Sequence, residues 1–177
     1  MRATAFIGLI AISACASGNS SPGSSAAGTQ AIVRGSDIRS APSNPDHVTL
    51  IESSVAPVWR ALPAVYDSLG IPLTVMDFKQ HLIGNQGMKI RQTLGKVALS
   101  KYIDCGNGQI IPSADSYDIF LSVVTHVRPN EPVGSDLVTT MSAAARPLNV
   151  SQEYSQCSSK GELEKKIAEL VKAAVRH

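Results

Sequence analysis

Residues 117–127 read YDIFLSVVTHV, and the period of that run decides the fold. Tyr117, Ile119, Leu121, Val123, Thr125 and Val127 fall on one side at period two, with Asp118, Phe120, Ser122, Val124 and His126 on the other. A strand produces that alternation and a helix does not. The second side is itself half apolar. RPNEPVGSD, residues 128–136, has the Pro, Asn and Gly content of a hairpin loop, and LVTTMSAAA then returns with Leu137, Thr139, Met141 and Ala143 on one side. An antiparallel hairpin is therefore expected at the centre of the protein.

Helical patterns flank it. Val55, Val58, Trp59, Leu62, Val65, Tyr66 and Leu69 recur every three or four residues and make one apolar stripe, with Trp59 expected in the core. Ser53 and Ser54 offer a helix cap, and SLGIP ends the helix because Gly70 admits a left-handed exit and Pro72 prevents continuation. Pro57 suits the first turn, whereas Pro63 sits inside and should bend the helix. At the other end, Leu163, Ile167, Leu170, Val171 and Ala174 line a second helix. Ser159 and Glu162 have capping-box spacing there, and Glu162 and Lys166 are placed to pair.

Between these elements the signals are shorter. HVTLIESS begins near His47 with Val48 and Leu50 alternating with polar neighbours, a short strand. PLTVMDF, HLIGN and MKIRQTL suggest two or three short strands, VALSKYIDCG a helical turn, and GNGQIIPSAD a loop. The sum is one α+β domain over residues 47–177, an antiparallel sheet covered on one face by two helices.

Upstream, Met1 and Arg2 precede an apolar run from Ala3 to Ile12 and the small pair Ser13-Ala14. This is the layout of a secretory signal peptide over residues 1–14, too short to span a bilayer stably. The tetrapeptide Ile12-Ser13-Ala14-Cys15 resembles the lipobox of bacterial lipoproteins. That resemblance implies cleavage between Ala14 and Cys15, a lipidated Cys15 as the first mature residue, and a membrane partner held through acyl chains. Two or more such chains hold stably where one does not. An ordinary signal peptide with a coincidental cysteine is the alternative. ASGNSSPGSSAAG, residues 16–28, is all Ala, Ser, Gly, Asn and Pro, and the stretch to Asp46 adds only scattered Ile and Val. Residues 15–46 are thus the lipidated cysteine and a flexible tether, whose coil span of roughly 30 Å clears the headgroups.

With Cys15 set aside, Cys105 and Cys157 remain. In an exported protein such a pair most simply forms a disulfide, although two free thiols or a metal site recruiting a histidine are open alternatives. The bond would tie the loop at Cys105 to the start of the last helix.

The chain carries 16 Lys and Arg against 14 Asp and Glu, a net +2. So small a surplus provides no long-range field for nucleic acid, and no nucleic-acid partner is expected. G-x-S-x-G, H-E-x-x-H, Walker and G-x-G-x-x-G motifs are all missing from the sequence. His47 lies at the domain edge and His177 at the chain end. Asp77 and His81 would suit a metal pair only on a helix, and the local pattern is extended. His126, Asp118 and Ser122 share one strand face but step about 7 Å apart, too far for a relay. The CGNG stretch at Cys105 fits a turn better than an anion nest. No catalytic residue, metal or cofactor is expected.

The order of strand, long helix, antiparallel strands and closing helix, with its LGIP exit, resembles the helix-grip domains of BamC-type outer-membrane assembly lipoproteins. At a similar distance it resembles the two-helix sheet domain of LptE-type lipopolysaccharide-assembly lipoproteins. Those resemblances imply a non-catalytic accessory subunit, anchored by lipid in the outer membrane with its domain facing the periplasm and binding another cell-envelope protein. Ala16, where some inner-membrane-retained lipoproteins carry Asp, points to the same membrane. A small-ligand or lipid-binding domain, using the groove between helix and sheet, is the rival reading.

Overall fold

The computed structural model describes residues 46–106, 111–132, 134–148 and 153–176. The expected signal peptide, the lipobox-like Ile12 to Cys15, almost all of the expected tether, half of the CGNG stretch and His177 lie outside them.

A long hairpin organises the sheet. β7 (Asp118–Asn130) pairs with β8 (Gly134–Arg146) in unbroken antiparallel register, Ile119 opposite Ala145 and Val127 opposite Leu137. Both strands outrun the expected loop of 128–136, because paired backbone carries Arg128 to Asn130 and Gly134 to Asp136. On one side of β7 stands β3 (Leu82–Ile90), with β2 (Val75–Asp77) beyond it. β8 has two partners along its other side: β1 (His47–Ile51) against residues 135–139 and β9 (Ser155–Ser159) against residues 143–145. β6 (Ile103–Asp104) pairs outside β9, and β4 (Thr93–Leu94) with β5 (Val97–Ala98) forms a separate small hairpin. A 3₁₀ turn, Leu99–Lys101, sits where a helical turn was expected.

α1 (Val55–Ser68) and α3 (Glu162–Val175) lie on one face of the sheet. Val58, Leu62, Tyr66, Leu163, Ile167 and Val171 are fully buried against Ile119, Leu121, Val123 and Met141. The sequence-predicted α+β class, an antiparallel sheet packed against helices, is the observed one. A short helix, α2 (Ser113–Ser116), stands in what the sequence suggested was all loop.

α1 ends as its sequence requires. Gly70 adopts φ +71°, its N–H reaches Asp67 O (2.9 Å), and Ile71 N–H reaches Tyr66 O (3.0 Å). This is the Schellman arrangement, and buried Ile71 closes it. Pro63 lies inside a helix that runs unbroken from Val55 to Ser68. α3 begins differently from the expected capping box. Gly161, at φ +75°, is the N-cap. Ser159 Oγ accepts from Gly161 N–H (2.9 Å) and donates to the buried Glu164 carboxylate (2.6 Å). Glu162 pairs with Lys165 (2.9 Å), one residue short of Lys166.

HLIGN and MKI, read as separate strands, are one strand bent by a bulge between Asn85 and Met88. Buried Asn85 stabilises the bulge. Its Nδ2 donates to Pro72 O (2.6 Å), its Oδ1 accepts from Gly87 N–H (2.8 Å), and its carbonyl accepts from Ser122 Oγ (3.2 Å). Beneath α1 a chain of hydroxyls crosses the core: Tyr66 Oη to Thr125 Oγ1 (2.8 Å), and Thr125 Oγ1 to Thr139 Oγ1 (3.0 Å). Burial pushes the Tyr66 hydroxyl well above the usual phenol range, although the bond to Thr125 opposes the shift.

Candidate functional site: an exposed apolar edge strand

β1 is pinned by Ile51. That side chain is 1% exposed and stands opposite Ser135, so the odd-numbered residues of β1 face the helices and the even-numbered ones face away. Val48 and Leu50, the apolar members of the alternation, therefore point to the uncovered side of the sheet, 56% and 53% exposed. His47 and Thr49 occupy the helix side, half-buried, with Thr49 Oγ1 3.4 Å from His47 Nδ1. The period of HVTLI was right and its apolar face is the outer one. Ile51, next to Leu50, was the signal: a strand cannot bury both neighbours on one side.

Val48 stands opposite Val138, which is itself outward-facing and stands opposite His126. Val138 is only 5% exposed, so the solvent-exposed part of this strip is Val48 and Leu50 on β1 itself. Among the described residues β1 pairs only with β8, which leaves its second edge without a strand. Proteins usually guard such an edge with Lys, Pro, a bulge or extreme brevity. The other terminal strands, β2 and β6, are three and two residues long. β1 is five residues of HVTLI, without Lys, Pro or bulge.

The remaining candidates resolve as follows. Trp59 is half-buried and not in the core, edge-on to Phe78 (5.8 Å) and His81 (5.5 Å). Phe78 is 69% exposed at the β2–β3 turn, a feature the sequence reading passed over. Asp77 is engaged by backbone N–H groups of the β2–β3 turn. Its Oδ1 accepts from Lys79 and Gln80 N–H (2.8 and 3.0 Å), which holds its carboxyl below the usual range. Asp118, Ser122 and His126 are each engaged elsewhere. Asp118 binds Lys89 Nζ and Arg91 Nε, Ser122 binds Asn85, and Arg128 Nε lies 3.1 Å from His126 Nδ1. Partial burial, then the Arg128 cation, push His126 below the ordinary imidazole value. Among the described residues no three His, Cys, Asp or Glu side chains converge as a metal site would require.

The sulfurs of Cys105 and Cys157 lie 2.08 Å apart with Cα atoms at 4.3 Å. Cys157 is in β9, opposite Ala143, and Cys105 directly follows β6. Between α1 and α3 runs an open groove of about 460 Å³, lined by Ala61, Ala64, Leu170 and Ala174 together with Arg60. The space between α1 and the sheet, where a ligand groove was envisaged, is filled by Val58, Leu62 and Tyr66.

Against models of known protein families, curated proteins and solved structures, the chain has no match.

Proposed function

We propose that this chain is a non-catalytic lipoprotein of the cell envelope, cleaved after Ala14, acylated at Cys15 and anchored in the outer membrane with its domain facing the periplasm. Its work is to bind another envelope protein, as an accessory subunit of an outer-membrane assembly system. The observation that carries this reading is β1: an unguarded edge strand whose Val48 and Leu50 face outward. The partner it fits is an extended segment with alternating apolar side chains. Such a segment adds a strand beside β1 through main-chain hydrogen bonds and covers Val48 and Leu50 with its own apolar face. A tether over residues 15–46 would enter the domain immediately before β1, which suits the same reading.

The test places a photo-crosslinking amino acid at Val48 and, as a control, at Glu169 on the exposed side of α3. The expected result is one discrete adduct from position 48, identified by mass spectrometry as an envelope protein, absent from position 169 and abolished by Leu50→Lys. Equal adducts from both positions, or indifference to Leu50→Lys, refute the proposal. Capture of lipid from a probe at Ala64, in the open α1–α3 groove, would instead favour the lipid-binding reading.

A further inference from the structure

At the other end of the same sheet face, eight residues along β8 from Val138 and so roughly 27 Å away, two cations bind one carboxylate and the strand register brings a third cationic residue beside it. Asp118 stands opposite Arg146 in the β7–β8 register, and Lys89 of β3 stands opposite Phe120. Phe120 and Asp118 share the face away from the helices, since Ile119 and Leu121 point into the core. Asp118, its side chain 8% exposed, takes Lys89 Nζ on Oδ2 (2.7 Å) and Arg91 Nε on Oδ1 (2.5 Å). Those two bonds hold its carboxyl below the ordinary range.

Asp118 leaves most of the surrounding donors unused. Arg91 is bonded through Nε, among the described residues its two terminal nitrogens meet no acceptor, and the Lys89 and Arg91 side chains are 51% and 57% exposed. Arg146 forms no ion pair among the described residues. Its guanidinium lies 4.6 Å over the ring of Tyr154, which in turn meets Phe120 edge-on at 4.8 Å. A guanidinium held over a ring face gives up none of its N–H donors to an acceptor there, so they remain able to bind an anion in pairs. The cluster thus has three positive charges against one negative, with the carboxylate holding two of the cations in place and an aromatic pair holding the third.

We propose that Lys89, Arg91 and Arg146, seated on Asp118 and Tyr154, form a binding site for a phosphate monoester. The charge surplus selects that class. A carboxylate would neutralise half of it, whereas a phosphate monoester near neutral pH carries close to two negative charges and three acceptor oxygens, enough for both guanidinium groups and the ammonium. The phosphate can belong to a soluble molecule or to a lipid headgroup.

The experiment uses the full chain carrying Cys15→Ser, so that no acyl chain complicates the lipid arm, in neutral detergent at pH 7.5 and constant ionic strength. Backbone amide shifts are followed while inorganic phosphate, dihexanoyl phosphatidic acid or dihexanoyl phosphatidylcholine is added. Saturable shifts at Phe120, Arg146 and Tyr154 with inorganic phosphate are expected. Arg91→Gln and Arg146→Gln each weaken binding by about tenfold, as loss of a charge-assisted contact does. Lys79→Gln, a cation at the far turn, leaves binding within about twofold. Phosphatidic acid binding at least tenfold tighter than inorganic phosphate assigns the site to a lipid headgroup; equal affinity assigns it to a soluble phosphate. No saturable shift with either, shifts of equal size with phosphatidylcholine, or affinity unchanged in both arginine variants overturns the proposal.

Discussion

Replacing Thr125 by Val tests how the core tolerates its buried hydroxyls. Thr125 Oγ1 is the middle of the chain that links Tyr66 and Thr139, and all three residues are at most 1% exposed. Valine matches threonine in shape, so no cavity complicates the measurement. It removes both bonds and strands two oxygens, Tyr66 Oη and Thr139 Oγ1, away from water. An unsatisfied buried polar group costs about 1–3 kcal/mol, which sets the expected loss for Thr125→Val at about 3 kcal/mol. Tyr66→Phe is milder. It deletes one bond but leaves Thr125 and Thr139 bonded to each other, so about 1 kcal/mol is expected. The double variant then strands only Thr139 and should be more stable than Thr125→Val alone, a coupling that additive side chains cannot produce. Urea unfolding of the four proteins at pH 7 measures the cycle. Equal losses for the two single variants, or simple additivity in the double, would falsify the role given to Thr125. A pH limb follows from burial of Tyr66. Its folded value is raised above the unfolded phenol value of about 10, so its contribution is fully present below pH 10 and is lost as the pH rises beyond it. Tyr66→Phe should flatten that alkaline decline.

Gly84→Ala should cost at least about 2 kcal/mol, because an added Cβ would sit 2.2 Å from Val123 O and 2.7 Å from Val124 Cα, both backbone atoms of a central strand; a urea midpoint equal to that of the parent would disprove the close approach. Cys105→Ser with Cys157→Ser should fold but lose about 2–4 kcal/mol. Non-reducing peptide mapping of the parent should find one linked pair, and alkylation of both thiols in unfolded, unreduced protein would remove the bond from the account. Cys15→Ser should leave a longer precursor without palmitate label, and the parent should fractionate with outer membrane; normal labelling of the variant, or co-sedimentation with inner membrane, rules the anchor or its sorting out.

What could be read in advance followed the length of each periodic signal. The run from Tyr117 to Val127 alternates over eleven positions, and the helix-facing set is the one the alternation names, with Ile119, Leu121, Val123, Thr125 and Val127 all buried. The stripe of α1 and its Gly70 exit were legible because turn chemistry and period agree there. β9 was not, since SQCSS has one buried side chain, Cys157, and is a strand only because β8 and β6 lie beside it. β4, β5 and β6 are two residues each, shorter than one repeat of any pattern. The cap of α3 went to Gly161 because Ser159 is engaged in β9 and its hydroxyl is taken by Glu164, a tertiary demand that spacing alone does not reveal. The phosphate-site cluster was invisible for a similar reason. Lys89 and Arg91, Asp118, and Arg146 lie in three separate stretches of sequence, and only the register of β3, β7 and β8 brings those stretches together.

β1 is where local pattern and tertiary register disagree most usefully. Five residues hold three large aliphatic side chains, Val48, Leu50 and Ile51, and alternation forces the first two onto one face and the third onto the other. Counting apolar residues favours Val48 and Leu50 inside. The core chooses Ile51, because the turn into α1 begins two residues later, where Ser135 Oγ donates to Ser53 O (2.9 Å) and fixes the strand end. A one-residue slip would bury two aliphatic residues instead of one, but it would break that contact and carry the entry of α1 off the sheet. The fold accepts the less apolar inner face, and Val48 and Leu50 remain outside on an edge that nothing among the described residues guards. The register that secures the entry of α1 thus leaves two aliphatic side chains unburied, and that uncovered surface is the physical basis for proposing a partner strand at β1.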